Sequence, residues 1–375
     1  MTSRVYFGDA YSTLGNGLLR KLRKLCDAGL SGIVGVDEKV AVKVHWGERG
    51  NLAYLRPPYA RLLVDMVREA GGRPFVTDTN VLYRAARHDA IGNLQAAAHN
   101  GFTAETVGAP LIVADGLTGR DGVDVVVTGG RRVQTARIAS AIHGADAMLV
   151  LSHVKGHLLF GYGGALKNLG IGCATPAGKH VLHQDLKPTV DEPRCIGCRH
   201  CGKVCPEDAI SYREAPPEHV VGKRLAHIDP ERCIGCGECV AACPEEAIPI
   251  RWDTAQAPLV EKTAEYAWAA VANKPDKVGF VNIVMDVVPD CDCMDCTNPA
   301  IVGDIGFLVS TDPVAIDQAS LDLINEAPLV PGAPQKAEPA GGDHIHRLYG
   351  RDYRGLLDHA EKIGLGSRDY ELVRI

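Results

Sequence analysis

The sequence predicts an α/β fold: a layered, mostly parallel sheet with helices on its faces, interrupted by a small inserted α+β module. Three observations predict it. Short β-branched runs alternate with amphipathic stretches from the start to about Pro188. Composition shifts abruptly near Arg194, where cysteine, glycine and proline take over until about Ile250. The alternation of strand-like and helix-like segments then returns. One domain in two parts, 1–188 and 253–375, around an insertion at 189–252, accounts for this with the fewest units; three domains in series is the other arrangement.

The expected strands of the first part are Lys39–Val44, Pro74–Thr77, Val123–Val127 and Ala147–Leu151. PPYARLLVDMVREAG reads as a helix opened by proline and closed by glycine, IGNLQAAAHNG as a second, and Gln134 to His143 as a third. After the insertion, VEKTAEYAWAAVANK reads as a helix, KVGFVNIVMDVV as a buried strand and DIGFLVS as another strand. DPVAIDQASLDLINEA reads as a helix capped by its aspartate, and PGAPQKAEPAGGDH as an exposed loop.

With 375 residues and 46% hydrophobic content, the chain can bury a substantial core. Its 40 basic and 46 acidic residues, with no long run of either sign, lack the footprint of a nucleic-acid binder. No apolar stretch approaches the roughly 18 residues that span a bilayer, and the first residues carry no secretion signal. Small molecules or proteins are therefore the expected partners, with no nucleic acid and no membrane, in the cytoplasm. The 13 cysteines agree, since most sit two or three residues apart in runs that hold metals rather than in disulfide spacings.

Two of those runs are copies of each other, CIGCRHCGKVCPEDAI from Cys195 and CIGCGECVAACPEEAI from Cys233. Each is C-x2-C-x2-C-x3-C-P, a spacing in which three thiolates hold one [4Fe-4S] cluster and the fourth reaches the other. One cluster is expected on Cys195, Cys198, Cys201 and Cys243, the second on Cys233, Cys236, Cys239 and Cys205. Gly197 and Gly235 allow backbone amides to turn toward sulfur, Pro206 and Pro244 redirect the chain, and Ile196, Ile210, Ile234 and Ile248 supply an apolar wall. Structural zinc fits poorly, because it uses separated C-x2-C pairs. The linker SYREAPPEHVVGKRLAHIDPER is expected to form a hairpin or a protein-facing loop. Residues 195–248 resemble the dicluster bacterial ferredoxins.

A third group, Cys291, Cys293 and Cys296, lies in PDCDCMDCTNP after a predicted strand. Crowded thiolates are costly unless protonated, oxidised or neutralised by a metal. A third cluster or other metal here would take a fourth ligand from Cys173, or from His157 or His183. The alternatives are a redox-active thiol or disulfide pair, and inert surface thiols. Cys26, alone in LRKLCDAG, reads as a core residue.

Polar residues also gather where open parallel sheets bind ligands, at strand carboxyl ends. Lys43, His45 and Glu48 follow one strand; His153, Lys155 and His157 follow another on what reads as a loop. Lys43, Lys155 and Lys167 would hold a substrate anion while a histidine such as His45 or His157 donates protons; the alternative is that they only bond loops and cap helices. GYGGALKNLG is a weak candidate for a phosphate-gripping loop.

KVHWGERGNLAYLRP, SHVKGHLLFGYGGALKNLGIGC, NIVMDVVPDCDC and DIGFLVSTDPVAIDQA, in this order around the double repeat, resemble the family catalogued as domain of unknown function 362 in its ferredoxin-bearing form. The resemblance covers nearly the whole chain and implies an iron–sulfur protein with no general reaction attached. The expected function is a reductase whose two clusters, loaded by a ferredoxin, flavodoxin or reductase, pass electrons to a substrate or third metal site in the α/β domain. A carrier or assembly subunit, and a cluster or metal delivery protein, are the alternatives. No flavin motif is legible, and a bound flavin remains compatible with the sequence.

Overall fold

The computed structural model describes residues 2–375 apart from 84, 184–186, 234, 236, 250–254 and 334–341. Its strands in chain order are β1 (Ser3–Asp9), β2 (Lys39–Lys43), β3 (Arg73–Asp78), β4 (Leu111–Val113), β5 (Gly122–Val126), β6 (Thr135–Ala139) and β7 (Ala147–His153). They continue with β8 (Lys155–His157), β9 (Gly161–Gly163), β10 (Ile210–Glu214), β11 (Arg224–Ile228), β12 (Val278–Val284), β13 (Gly306–Ser310) and β14 (Tyr370–Arg374). Eight of these form one sheet in the order β14-β1-β13-β12-β7-β2-β3-β4. Within it only β13 runs against its neighbours. The fold is α/β, with a mostly parallel central sheet and helices on its faces.

Every residue of β7 and β12 is buried, as expected of strands covered on both sides. Their side chains alternate between two cores. Met148 and Val150 point to one face with Leu166, Leu169, Ala264 and Val314; Ala147, Leu149 and Leu151 point to the other with Leu22, Leu25, Leu63 and Val67. Each such leucine or valine contributes about 1.5–3 kcal/mol of burial, so the period-2 pattern fixes the register. The second core is covered by helices Leu18–Gly29 and Pro57–Glu69, the first by Gln256–Val271 and Pro313–Glu326. The Asp312 carboxylate caps the last of these through the amides of Val314 and Ala315 at 2.8 and 2.9 Å.

The chain steps outward from β2 to β3 to β4, then returns to place β7 on the opposite side of β2. That reversal opens a crevice at the carboxyl ends of β2 and β7, the place where such sheets bind ligands. The strands after the cysteine-rich segment enter this same sheet, β12 beside β7 and β13 between β12 and β1.

One segment departs from expectation. Residues Gly122–Val126 form a strand outside the main sheet, and its antiparallel partner is Thr135–Ala139, where a helix was predicted. Ala136 and Ile138 point inward while Thr135 is exposed, a period of two that a cross-strand partner turned into β-structure; only Ser140–His143 is helical. Most of the exposed loop expected in PGAPQKAEPAGGDH falls on 334–341, outside the described residues; at its end the structure differs, since Asp343 is buried and caps helix His344–Tyr349.

The cysteine-rich segment has its own small core of Cys195, Cys201, Leu225, Ile228, Cys239, Val240 and Ile248. Its linker forms the β10–β11 hairpin, with Ile210 opposite Ile228 and Glu214 opposite Arg224. Among the described residues no helix is long and apolar enough to cross a membrane.

Candidate functional site

The crevice between β2 and β7 holds a cavity of about 710 Å³. Loops after β2, β3 and β7, helix Pro176–His183 and the segment 291–295 line it. His45, Lys155, His157 and Lys167 all face it, together with Cys291 and Cys293.

Lys43 does not line it. Its ammonium lies beneath, bonded to Asp78 Oδ1 at 3.0 Å, Asn168 Oδ1 at 2.7 Å and the Val44 carbonyl at 3.0 Å. Asn168 in turn donates to the Leu151 carbonyl and Ser152 hydroxyl, tying the helix Ala165–Gly170 to the end of β7. Asp78 also receives Arg87 Nη1 at 3.3 Å, and Arg87 Nε reaches Glu48 Oε2 at 3.2 Å. Burial raises the Asp78 carboxyl, but Lys43, His45 and Arg87 outweigh it and hold the group below its ordinary range. Arg87 is 1% exposed and lines the cavity, and its Nη2 has no hydrogen-bond partner among the described residues. Lys179 closes the far wall, its ammonium on the Thr79 hydroxyl at 2.6 Å and on the Asn80 carbonyl.

His45 Nδ1 accepts the Gly47 amide at 3.1 Å, so the neutral ring carries its proton on Nε2. Burial, then Arg87, pushes its pKa down to about 3. His153 is differently placed: Nδ1 faces Asp292 Oδ1 at 2.8 Å, and Nε2 faces the carbonyls of Met285 and Asp286 at 2.9 and 3.1 Å. Asp292 Oδ2 takes the Lys155 ammonium at 3.1 Å. Against burial, His153 and Lys155 hold the Asp292 carboxyl below its ordinary range. This pairing anchors the 291–293 loop to β7, and the Asp292 carbonyl accepts the Glu48 amide at 2.8 Å.

The structure gathers a different set around the third cysteine group from the one expected. His157, Cys291 and Cys293 each bring one ligand-type atom within 4.8 Å of the others. Cys296 is exposed, its carbonyl accepting Asn51 Nδ2 at 3.0 Å, and Cys173 is buried in the core with its thiol near the Asn168 carbonyl at 3.7 Å. Neither joins the group. His157 is there because the stretch read as a loop forms the short β8–β9 hairpin. Its Nδ1 accepts the amides of Leu159 and Phe160 at 3.1 and 3.2 Å, leaving the proton on Nε2. Burial, then Lys167, pushes its pKa down to about 4. Lys167 Nζ stands 3.5 Å from Cys291 Sγ, as does the Cys293 amide. GYGGALKNLG is occupied from within: the Asp317 carboxylate accepts the amides of Ala165 and Leu166 at 2.7 and 3.0 Å, where a phosphate would sit.

In the inserted segment, Cys195, Cys198, Cys201 and Cys243 line one small cavity, and Cys205, Cys233 and Cys239 line another. Cys236 and Ile234 lie outside the described residues. The Ala209 and Ala247 amides point at Cys205 and Cys243 Sγ, each at 3.2 Å, and those of Ala226 and Gly235 at Cys195 and Cys233 Sγ, each at 3.4 Å. Tyr212 adds a hydroxyl 3.5 Å from Cys201 Sγ. The segment is seated on the α/β domain. Gly237, at φ +78°, packs on His180 so closely that an added Cβ would lie 2.5 Å from the histidine Cβ. Glu238 pairs with Arg137 at 3.3 Å, and Leu82 belongs both to the core of the segment and to the cavity wall.

Residues 40–322 match the family described as domain of unknown function (DUF362). The chain belongs to this family. The DUF362 match runs from β2 into helix Pro313–Glu326, so it contains the cavity and the cysteine-rich segment but not β1 or β14. No curated protein matches the chain in sequence. Among solved structures it is similar to the lactate racemase apoprotein from Thermoanaerobacterium thermosaccharolyticum, at 10% identity and a TM-score of 0.36, over 76% of this chain and 51% of that one. It is also similar to a Thermotoga maritima protein solved by the Northeast Structural Genomics Consortium, at 10% identity and a TM-score of 0.34, over 71% and 49%. The DUF362 chain thus spans about half the length of these structures.

Sequence reasoning missed Arg87, Asp78, Lys179 and Asp292. VLYRAARHD carries no motif that marks its second arginine, and Asp292 was legible only as a residue between two cysteines.

Proposed function

We propose that this DUF362 protein is an iron–sulfur reductase. Two [4Fe-4S] clusters, held by Cys195, Cys198, Cys201 and Cys243 and by Cys205, Cys233, Cys236 and Cys239, supply one-electron transfer to a small molecule in the cavity. The donor is a ferredoxin, flavodoxin or reductase. The described cysteines fit this use: they gather in the two crossed sets that the repeat requires, and amides already point at four of the sulfurs. Hydrogen bonds to cluster sulfurs and an apolar wall are the protein's means of tuning potential.

The observation that carries the reductase reading is the seating of the second cysteine run. Gly237 rests on His180, whose helix Pro176–His183 lines the cavity through Lys179 and His183, so one helix separates the run from the cavity. A carrier has no need of a cavity of about 710 Å³ beside its cluster module. The guanidinium of Arg87 and the ammonium groups of Lys155, Lys167 and Lys179, all from residues of the cavity lining, favour an anionic substrate. His45 and His157, neutral with the proton on Nε2, are in the cavity lining and can donate hydrogen bonds to it.

Iron and sulfide analysis of anaerobically purified protein tests the first half, with about eight irons per chain expected. Zinc in place of iron refutes it. For the second half, Gly237→Ala should leave the iron content unchanged and slow reoxidation of the reduced protein by a cavity ligand. Equal rates in both chains would favour a carrier.

A further inference from the structure

We propose that Cys291 and Cys293 form a dithiol–disulfide couple facing the cavity, with Cys291 the attacking thiolate and Cys293 the resolving thiol. The couple stands on its own geometry; that its electrons arrive from the clusters rests on the reading above.

Four groups converge on Cys291 Sγ. Lys167 Nζ and the Cys293 amide each lie at 3.5 Å, and a ring nitrogen of His157 and the Cys293 Sγ lie within 4.8 Å. The His157 tautomer decides between a metal centre and a thiol centre. A metal-binding histidine donates its second ring N–H to an acceptor. Here Nδ1 instead accepts two backbone amides, so the neutral ring has its proton on Nε2 and the lone pair of Nδ1 is already taken, which leaves it a donor and no free lone pair for a metal. A protonated imidazole edge and an ammonium suit a thiolate. The Cys293 thiol, then Lys167 and His157, hold the Cys291 thiol well below its usual range despite burial, whereas the Cys291 sulfur and burial hold the Cys293 thiol well above its own, against Lys167. One proton thus serves two sulfurs, as in an attacking and resolving pair.

The backbone permits closure. Residues 291–294 form a turn closed by the Met294 amide on the Cys291 carbonyl at 2.9 Å, and the Asp292 side chain points away to His153 and Lys155. The two sulfurs lie within 4.8 Å of each other, and the disulfide forms when side-chain rotation closes that gap. Cys291 is 2% exposed, yet it and Cys293 line the cavity, so a small molecule meets them and a large one does not.

The chemistry balances. Cys291 thiolate attacks one sulfur of a small-molecule disulfide, forms a mixed disulfide and releases the first product thiolate. The Cys293 sulfur, as its proton passes to that product, attacks Cys291 Sγ and expels the second thiolate. The Cys291–Cys293 disulfide is restored by two electrons and one proton to thiolate plus thiol. Two one-electron centres supply that pair of electrons. With Arg87 across the cavity, the substrate class is a small disulfide carrying a carboxylate or phosphate.

The test uses the anaerobically purified full chain, equilibrated over a series of reduced and oxidised dithiothreitol ratios, quenched with iodoacetamide and mapped by mass spectrometry. Cys291 and Cys293 should lose alkylation together as one two-electron couple, while the core thiols of Cys26 and Cys173 do not change. In Cys293→Ser, 5,5′-dithiobis(2-nitrobenzoate) should leave a mixed disulfide on Cys291 that does not resolve. Lys167→Gln, which keeps both sulfurs, should move the midpoint of the pH–rate profile for Cys291 alkylation up by about one unit. A pair that stays alkylatable across the whole series overturns the proposal, and so does a stoichiometric metal freed from these two cysteines only by a chelator. About eight irons with a non-titrating pair removes this proposal and keeps the clusters; a titrating pair without iron does the reverse.

Discussion

Asp317→Asn should loosen the segment that carries Lys167 without changing the shape of the core. Asp317 is fully buried, and its carboxylate is the acceptor for four donors: the Ala165 amide at 2.7 Å and Asn282 Nδ2 at 2.8 Å on Oδ1, the Leu166 amide and Tyr162 hydroxyl, both at 3.0 Å, on Oδ2. An asparagine of the same size presents one oxygen and one NH2. Two of the four donors adapt, because the Tyr162 hydroxyl can rotate and the Asn282 amide can turn over to offer its oxygen. The backbone amides cannot. Whichever way the new side chain sits, either Ala165 or Leu166 at the start of the helix faces a donor with no acceptor. A buried unsatisfied amide, plus the lost strength of a charged acceptor, costs about 3 kcal/mol. Gly164 offers no relief, since an added Cβ there would already lie 2.5 Å from Asp317 Oδ1, so the packing leaves the helix start no room to move. Hydrogen–deuterium exchange checks this locally: amides of 161–173 should exchange on the order of a hundredfold faster in the variant, while β12 and β7 keep their protection. Unchanged exchange at Ala165 and Leu166 would refute the assignment of Asp317 as the cap that holds Lys167 in place.

Further outcomes concern the site. Gly237→Ala forces a side chain into a left-handed residue, at a cost of about 1–2 kcal/mol, and against His180; it should separate the cysteine module from helix Pro176–His183, seen as increased proteolysis near 237 with unchanged iron. Arg87→Lys loses the fork that spans Asp78 and Glu48 in the cavity lining. It should cut reaction of Cys291 with anionic 5,5′-dithiobis(2-nitrobenzoate) by about tenfold, one charged hydrogen bond, and leave reaction with neutral 2,2′-dithiodipyridine unchanged. His157 has its native pKa at about 4 against 6.5 when free, so between those values the unfolded chain binds the extra proton. Its contribution is therefore complete above pH 6.5 and lost as pH falls through that window, by about 2 kcal/mol at pH 5. The pH dependence of stability in His157→Asn should be shallower than wild type by that amount, and parallel curves would rule out a buried neutral imidazole.

Several features were written locally and were legible without a structure. The alternation in AMLVLSH and VGFVNIV reports strands buried on both faces, because side chains two apart share a face whatever the strand's partners. Asp312 before a proline announces a helix start, since its carboxylate reaches amides only two and three residues ahead. The paired cysteine runs announce two crossed sets by their repeat, and the described cysteines line two cavities in those sets.

Other features depended on which distant segments meet. Thr135–Ala139 carries residues suited to helix or strand, and β5 decided between them. Nearness along the chain suggested Cys296 as a companion of Cys293, but the turn at 291–294 sends Cys296 to the surface. His157 and Cys291, far apart in sequence, meet because β7 and β12 are neighbours and each continues past the sheet into the same crevice. Arg87 has no sequence mark; burial beside Asp78 and Glu48 in the cavity lining gives it a role. The sequence by itself determined the sheet-forming periods, the helix caps and the cysteine spacing, because those interactions span a few residues. The strand order β12-β7-β2-β3 decided the rest, because only that order brings residues from separate loops to one end of the sheet and excludes water around their charges.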